Sequence, residues 1–578
     1  MRRLLIALAT IASLLLAPRD ASAAWPQPGS VVAHPHTTFI YFSESKLIAA
    51  PDGSVVALGC GSTASSEYWD SQRAAPSGDL TPVWPGLLTF STPTTNGGPG
   101  VLARMGFGFS TGGDLLASWA DGSATIWHQR MVGYGDPAPS LLDRSFTNPL
   151  SWGVYFTGLA PAAGNEVYLY YGNGQGSSIA PRLMRRAADG SVSPGWPVNG
   201  KRVFFAQAWD GTLLPDGAGG VIASERTPGF EFRVNRVAAD TAFAAGWSSA
   251  GLLLNSNVSI FDEQPFPQLL TSGASGYLAC WSENQPSTSP PTRELSMKRF
   301  LSNGTVDPAW PADGVKTSFT SSTPPRFAVI PDGAGGAFVL FERAGEPRGT
   351  HVLVTGVVDP AIGGADAPLL DPGAQYIAER ECCAAPVRVP LVGCQGKNGG
   401  LIFVWADGRT APQGSLRARW LTSGLQPDPS EPATPRLIPT TSATKNNVRA
   451  AIPDGFGGLY VAWEDQPVDS VVLVMNRVLA SEFLAAPPAP RPSAMALSAP
   501  RPNPARDAVS LDLTLPDDSP ARVELLDIAG RVSRAQLVSG AGSHAIAFDR
   551  LSSLSPGLYF VRAVGRTGSR TVRLAVNP

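Results

Sequence analysis

The stretch Pro331 to Arg343, PDGAGGAFVLFER, constrains the fold more than any other, because degenerate copies of it recur about every 58 residues between Pro51 and the last copy at Pro453. It joins a glycine-rich turn to an apolar strand that closes on an acid. Asp332-Gly333 and Gly335-Gly336 are expected to supply the positive φ angles of a tight turn, and Ala337 to Phe341 to form a buried strand. PDGAGG from Pro215 and PDGFGG from Pro453 repeat the turn almost letter for letter. Looser copies begin at Pro51, Thr111, Ala163, Ser272 and Asn398.

A second feature keeps step with the first, which separates a structural repeat from a run of glycines. After each copy comes a strand closing on Arg, at Arg73, Arg130, Arg186, Arg236, Arg299, Arg419 and Arg477; the sixth copy shows Thr355-Gly356-Val357 there instead. Several units continue into a turn that holds Trp, at Trp84-Pro85, Trp196-Pro197, Trp247 and Trp310-Pro311. Each unit therefore holds four strands: one before the glycine turn, one after it, one ending at the Arg and one beyond the Trp turn. A lone sheet of that size cannot bury both faces, whereas such sheets packed face to face around a ring can. The expected fold is all-β, a seven- or eight-bladed β-propeller over residues 30–485. The last unit has no fourth strand of its own after Arg477, so Thr38 to Tyr41, or its neighbourhood, is expected to supply one and close the ring.

Composition agrees. With 61 Gly and 54 Pro, long helices have little room. Forty-four Lys plus Arg against 46 Asp plus Glu give a formal net charge of -2, which makes no electrostatic case for nucleic acid or an anionic membrane as partner. Residues 1–23 read as a signal peptide: two arginines, an apolar run, then Ala21-Ser22-Ala23, with cleavage expected after Ala23. That run is too short to span a bilayer comfortably and no later segment is long and apolar enough, so no transmembrane segment and a soluble, exported mature protein are expected.

From Ala485 the pattern stops. Residues 486–502 are a Pro- and Ala-rich linker, and residues 503–578 read as a small antiparallel β-sandwich. Its strands are expected at Val509–Leu515, Ala521–Asp527, His544–Phe548, Gly557–Val564 and Thr571–Val576. The order Pro502-Asn503-Pro504, then Val523 to Val532 (VELLDIAGRV), then Leu554 to Tyr559 (LSPGLY), then a basic closing strand at Arg570 to Leu574, resembles the C-terminal sorting domain of the type IX secretion system. It is also similar to the immunoglobulin-like module of flagellar hook-capping proteins. The resemblance implies a secreted or outer-surface protein whose C-terminal domain meets export or attachment machinery. More loosely, the repeat region resembles propeller repeat proteins of bacterial surfaces.

Candidate chemistry is sparse. An acid closes the second strand as Asp121, Glu225, Glu283, Glu342, Asp407 and Glu464. A site for one ligand has no reason to be copied into every blade, so the acid and the following Arg are read as tying strands together, and a true site should break the repeat. The five His, at 34, 36, 128, 351 and 544, form no metal-binding spacing, and no nucleophile elbow, HExxH, phosphate loop or EF-hand occurs. The aromatics of Tyr168 to Tyr171 could stack on a sugar, but alternation along a strand explains them more simply. Cys60 and Cys280 are expected buried and unpaired, while Cys382 or Cys383 could bridge to Cys394. No catalytic, cofactor-binding or metal-ligating residue is assigned, and no cofactor is expected. Two functions stay open: a non-enzymatic binding or scaffold propeller presenting a glycan or protein ligand site, and a carbohydrate-active hydrolase or lyase on the same scaffold.

Overall fold

The computed structural model describes residues 30–31, 42–50, 54–62, 66–75, 88–93, 106–109, 115–120, 125–131 and 141–147, and from 154 onward all but 164–165, 174–179, 188–190, 205–210, 228–230, 257–266, 275, 286–291, 321–325, 378, 383–384, 389, 410–414, 439–446, 466–471, 481–494, 516–518, 541, 567 and 578. The signal sequence, Thr38–Tyr41 and most of the linker lie outside these residues. The chain divides into two compact units, the larger taking in Ala24–Ala74 and Leu80–Leu484 and the smaller built on Ala485–Pro578. Both are β-rich; the helical turns among the described residues are three-residue 3-10 segments such as Pro360–Ile362.

Among the described residues the large unit has, besides a two-stranded sheet, eight four-stranded antiparallel sheets. The sixth shows how the repeat builds one: Phe327–Pro331, Ala337–Arg343, Glu346–Val352 and Ala367–Pro368. In its glycine turn, Asp332 Oδ1 accepts the N–H groups of Ala334 at 2.7 Å and Gly336 at 2.9 Å. Gly333 and Gly335 hold φ of 79° and 96°, as the turn demands. Gly336 serves a different need, since a Cβ there would run into the Val352 carbonyl oxygen and the Asp332 carboxylate. The same close approach recurs at Gly220 against Val237 and at Gly458 against Val478.

The apolar runs of the second strands are buried on both faces, over the whole strand in Val221–Arg226 and Leu401–Asp407 and over Ala337 to Phe341 in the sixth sheet. The reason is that neighbouring sheets cover both faces. Ala337, Val339 and Phe341 pack with Leu278, Cys280 and Leu295 of the fifth sheet, while Phe338 and Leu340 pack with Leu401, Phe403 and Trp405 of the seventh. A strand covered on both faces reads as an unbroken apolar run, which is what the repeat displays. Each such side chain removed from water contributes on the order of 1.5–3 kcal/mol.

Successive sheets from the third to the eighth share apolar clusters pairwise, and the eighth shares one with the first through Leu47, Val55 and Ala57 against Tyr460, Ala462 and Met475. The recurring Trp stitches these junctions. Trp196 Nε1 donates to the Ala239 carbonyl, Trp247 to Ser302 and Trp310 to Val354, each in the following sheet. At the chain's start Ser30–Val31 pairs antiparallel with the third strand of the eighth sheet, Ser30 opposite Met475 and Val31 opposite Val474. The fourth strand of the eighth sheet is thus supplied from the first described residues of the chain, while Thr38–Tyr41 lie outside the described residues.

Register corrects part of the arginine assignment. The cation opposite the second residue of the apolar strand is Arg185 in the third sheet, not Arg186, because Tyr168 lies opposite Arg185. In the seventh sheet Trp420, not Arg419, stands opposite Ile402, and in the sixth His351 stands opposite Phe338.

In the small unit a three-stranded sheet (Ala496–Leu497, Val509–Leu515, Gly542–Phe548) and a four-stranded one (Val532–Val538, Ala521–Leu526, Gly557–Gly565, Gly568–Val576) share one core that includes Leu511, Leu513, Val523, Leu525, Val561 and Leu574. Ala496–Leu497, inside the stretch read as linker, is therefore part of this unit's first sheet.

Candidate functional site

Among the described residues, two charged positions recur in the sheets of the large unit, the acid of the glycine turn and the acid that closes the second strand. At the glycine-turn end, the turn acid meets the third-strand cation: Arg236 Nε lies 2.9 Å from Asp216 Oδ2 and Arg477 Nε 3.0 Å from Asp454 Oδ2. Arg299 instead takes Ser272 Oγ at 2.9 Å and pairs with Asp307. Arg236 and Arg477 therefore pair with the turn acid and Arg299 with an acid further along, while Glu342, Asp407 and Glu464, which close second strands, take other partners, which overturns the expectation that acid and following Arg tie strands together.

The acid at the opposite end finds its own partners. Glu342 pairs with Arg326, and Glu464 with Arg449 at 2.5 Å. Glu283 accepts from Trp281 Nε1 at 2.9 Å and from Asn255 Nδ2 of the preceding sheet at 2.7 Å, with Lys316 Nζ at 3.5 Å. Asp407 is held by Arg409 and by Arg417 Nε at 3.0 Å, and its carboxyl stays below the usual range: burial pushes it up, but the bonds from Arg409 outweigh that. Glu225 differs. It is 1% exposed, and neither carboxylate oxygen has a hydrogen-bond partner. Burial pushes its carboxyl up to about 8, with Arg233 opposing and Glu231 adding to the shift. Asp121 lies outside the described residues.

His351 breaks the repeat at the turn end. Its Nδ1 lies 2.9 Å from Asp359 Oδ2 and its Nε2 3.1 Å from Asp332 Oδ2, all three residues buried. Burial alone would lower the imidazole pKa, but the two carboxylates more than offset it and raise it. Of the other histidines, His544 Nε2 sits 2.6 Å from the Gly540 carbonyl, and the side chains of the remaining three are not described. Among the described residues no group of His, Cys, Asp and Glu is arranged to hold a metal ion.

Tyr168, Tyr170 and Tyr171 are buried, their hydroxyls donating to the carbonyls of Gly219, Ser224 and Asn199 at 2.7, 3.0 and 2.9 Å. They present no ring to solvent for a sugar. Cys280 and Cys394 are buried free thiols, so the expected bridge from Cys394 to Cys382 or Cys383 is not formed. Cys394 faces an apolar cluster with Ile402 and Val404, which pushes its pKa up. The Cys60 and Cys382 side chains and all of Cys383 lie outside the description.

One cavity of ≈ 370 Å³ opens between first strands of the first, seventh and eighth sheets, lined by Ser45 to Ile48, Leu391 to Gly393 and Arg449 to Ile452. Lys46 and Arg449 are its charged lining residues, and both are cations.

In the small unit, the VELLDIAGRV segment is a core strand followed by a turn in which Asp527 Oδ1 accepts from Ala529 and Arg531 at 2.8 and 2.9 Å. The LSPGLY segment enters the next strand with Tyr559 Oη donating to the Ser555 carbonyl at 3.0 Å. Residues 501–577 match the secretion system C-terminal sorting domain. The protein is accordingly secreted or on the outer cell surface, and its sorting domain meets the export machinery. Among the described residues no helix is long and apolar enough to cross a membrane. No curated protein matches the chain. Among solved structures, a Dyadobacter fermentans protein of unknown function is 10% identical, with 78% of this chain and 98% of that one covered and a TM-score of 0.35. The NanB sialidase of Streptococcus pneumoniae is 10% identical over 81% of this chain and 72% of its own, TM-score 0.32. An endo-arabinase from Bacteroides thetaiotaomicron is 16% identical over 46% of this chain and 93% of its own, TM-score 0.24.

Proposed function

We propose that the protein is an exported β-propeller of eight blades with a binding or scaffold role, carried to or held at the surface by an immunoglobulin-like C-terminal domain. Residues 30–485 would form the ring and residues 1–23 the cleaved signal peptide. The ring reading rests on the pairwise sharing of apolar clusters between successive sheets, and on the first chain segment completing the last sheet. One observation carries the binding role: the repeated acids at Glu283, Glu342, Asp407 and Glu464 are each engaged by partners within the fold, Arg449 being the partner of Glu464, while the first-strand cavity has Lys46 in its lining. A concave site of this size with Lys46 in its lining suits an oxyanion, such as the carboxylate or sulfate of an acidic glycan.

A glycan array of neutral, uronic-acid and sulfated oligosaccharides tests this with the full chain. Binding confined to the acidic saccharides and lost in Lys46→Ala is the expected result. Equal binding to neutral ones, or an unaffected variant, overturns the cavity as the site. Removing Ala485–Pro578 should keep the protein inside the cell envelope, and unchanged release would sink the sorting role.

A hydrolase or lyase is the second reading; Glu225, whose carboxyl burial pushes up to about 8, holds the proton a general acid needs, but at 1% exposure it would have to be uncovered to reach a substrate. Such chemistry needs a second carboxylate about 5–10 Å away. Turnover of any glycan by wild type, abolished in Glu225→Gln, would move the protein to this class.

A further inference from the structure

We infer that the Asp332–His351–Asp359 cluster is a proton-operated clasp, which holds the third strand of the sixth sheet to its glycine turn and to the loop after it only while the imidazole carries both protons. The argument starts from donor count. A neutral imidazole has one N–H and one lone pair, whereas the imidazolium donates from both nitrogens. Here both nitrogens face carboxylate oxygens, Nδ1 at 2.9 Å and Nε2 at 3.1 Å. Only the cation satisfies both. Once it loses a proton, one carboxylate confronts a lone pair in a buried site, and that contact must open or take in water.

The position makes this informative. His351 occupies the place that Arg236 and Arg477 hold in their sheets, opposite the second residue of the apolar strand. Those arginines stay charged at any physiological pH, so their turns are pinned permanently. The sixth sheet also supplies two acids at once: the turn acid, as Asp216 and Asp454 do, and an acid eight positions past the third-strand cation, as Asp307 does for Arg299. A single imidazolium is thus shared by two buried carboxylates.

The groups around the cluster couple it to its surroundings. Asp332 Oδ1 takes the Ala334 and Gly336 N–H groups, and the Asp332 carbonyl accepts from Gln395 Nε2 of the seventh sheet at 3.2 Å. Asp359 Oδ1 accepts Ala361 N–H at 2.9 Å, and Ser423 bonds to the Asp359 carboxylate. Phe338 stacks on the imidazole with ring centroids 4.3 Å apart. Opening the clasp would therefore loosen a turn that the seventh sheet touches and the loop from Leu353 to Asp366.

The sign follows from linkage. His351 holds its proton in the folded unit to a pH above 6.5, so its contribution is fully present below about 6.5 and is lost as pH rises through the higher folded value. Asp332 and Asp359, both lowered, contribute above about 3.8 and are lost as pH falls through their folded values. The clasp is closed between those limits.

The test compares thermal melting and limited proteolysis of the full protein from pH 5.5 to 9 for wild type, His351→Arg and His351→Gln. Wild type should melt lower, and be cut faster between Leu353 and Asp366, at pH 9 than at pH 6. His351→Gln should show the alkaline behaviour throughout, and His351→Arg, if its longer side chain is accommodated beside Phe338, the acidic behaviour throughout. Because Glu225 also makes stability fall with rising pH, the comparison is repeated in a Glu225→Gln background. A His351→Gln protein that keeps the full wild-type pH slope in that background overturns the clasp.

Discussion

The glycine-turn end and the acid end of the large unit's sheets are built from the same kinds of residue under different rules. At the turn end, in the fourth, sixth and eighth sheets, one Asp caps two backbone N–H groups and meets a cation two strands away. At the acid end the partner changes from sheet to sheet: an Arg on or just before the first strand, a Trp and an Asn, two Arg of the same hairpin, or none. The turn fixes the register in which the two apolar strands pair, so its chemistry is repeated. The other end only has to hide a charge, and the chain has found several ways of doing so.

If that contrast is sound, Asp216→Ala should be the most costly of the single changes proposed here. It removes the acceptor for Ala218 and Gly220 and the partner of Arg236, a loss of about 3–5 kcal/mol by analogy with other broken buried pairs. Denaturant unfolding measures it, and a cost near that of an exposed pair would erase the distinction between the two ends.

Glu225→Gln should act in the opposite direction. The folded unit keeps this proton to about 8 while the unfolded chain releases it near 4.5, so wild-type stability falls as pH climbs from 4.5 to 8 and levels off above. The variant should gain on the order of 4 kcal/mol at pH 8 and almost nothing at pH 4.5. A gain that does not vary with pH would mean that the carboxyl is already ionised at neutrality.

Gly336→Ala should cost about 2 kcal/mol, because the turn must move away from the Val352 carbonyl; a neutral result would leave the paired glycines without a steric reason. Phe456→Ala is the smallest change. The ring is 55% exposed and lies 5.3 Å from the Arg477 guanidinium, so about 0.5–1 kcal/mol is expected. A larger loss would show that this turn is covered by something beyond its own sheet.

Much of this was legible in the sequence where local and tertiary requirements coincide. Glycine turns, buried runs and five strands of the small unit all declare themselves through short-range chemistry. Val532–Val538 did not, because as an edge strand with an exposed face it carries Ser533, Arg534 and Gln536 where a core strand would alternate strictly. Ala496–Leu497 was hidden by the prolines around it. His351 does not stand out among the arginines of the other sheets, since the requirement at that site is a positive charge and not a residue type. Partners of the acids could not be read either. Glu283 reaches Asn255 in another sheet, and nothing in the order of residues announces a contact across a junction.

The pairing of Ser30–Val31 with Val474 and Met475 has a bearing on how the molecule is made. A chain released early by the ribosome would lack the partner strand for its own beginning, leaving an open edge available to other chains. The same chain would also lack the sorting domain, which lies beyond that partner. Completion and address are written into one stretch of polypeptide, so a fragment unable to finish its last sheet also carries no label for export.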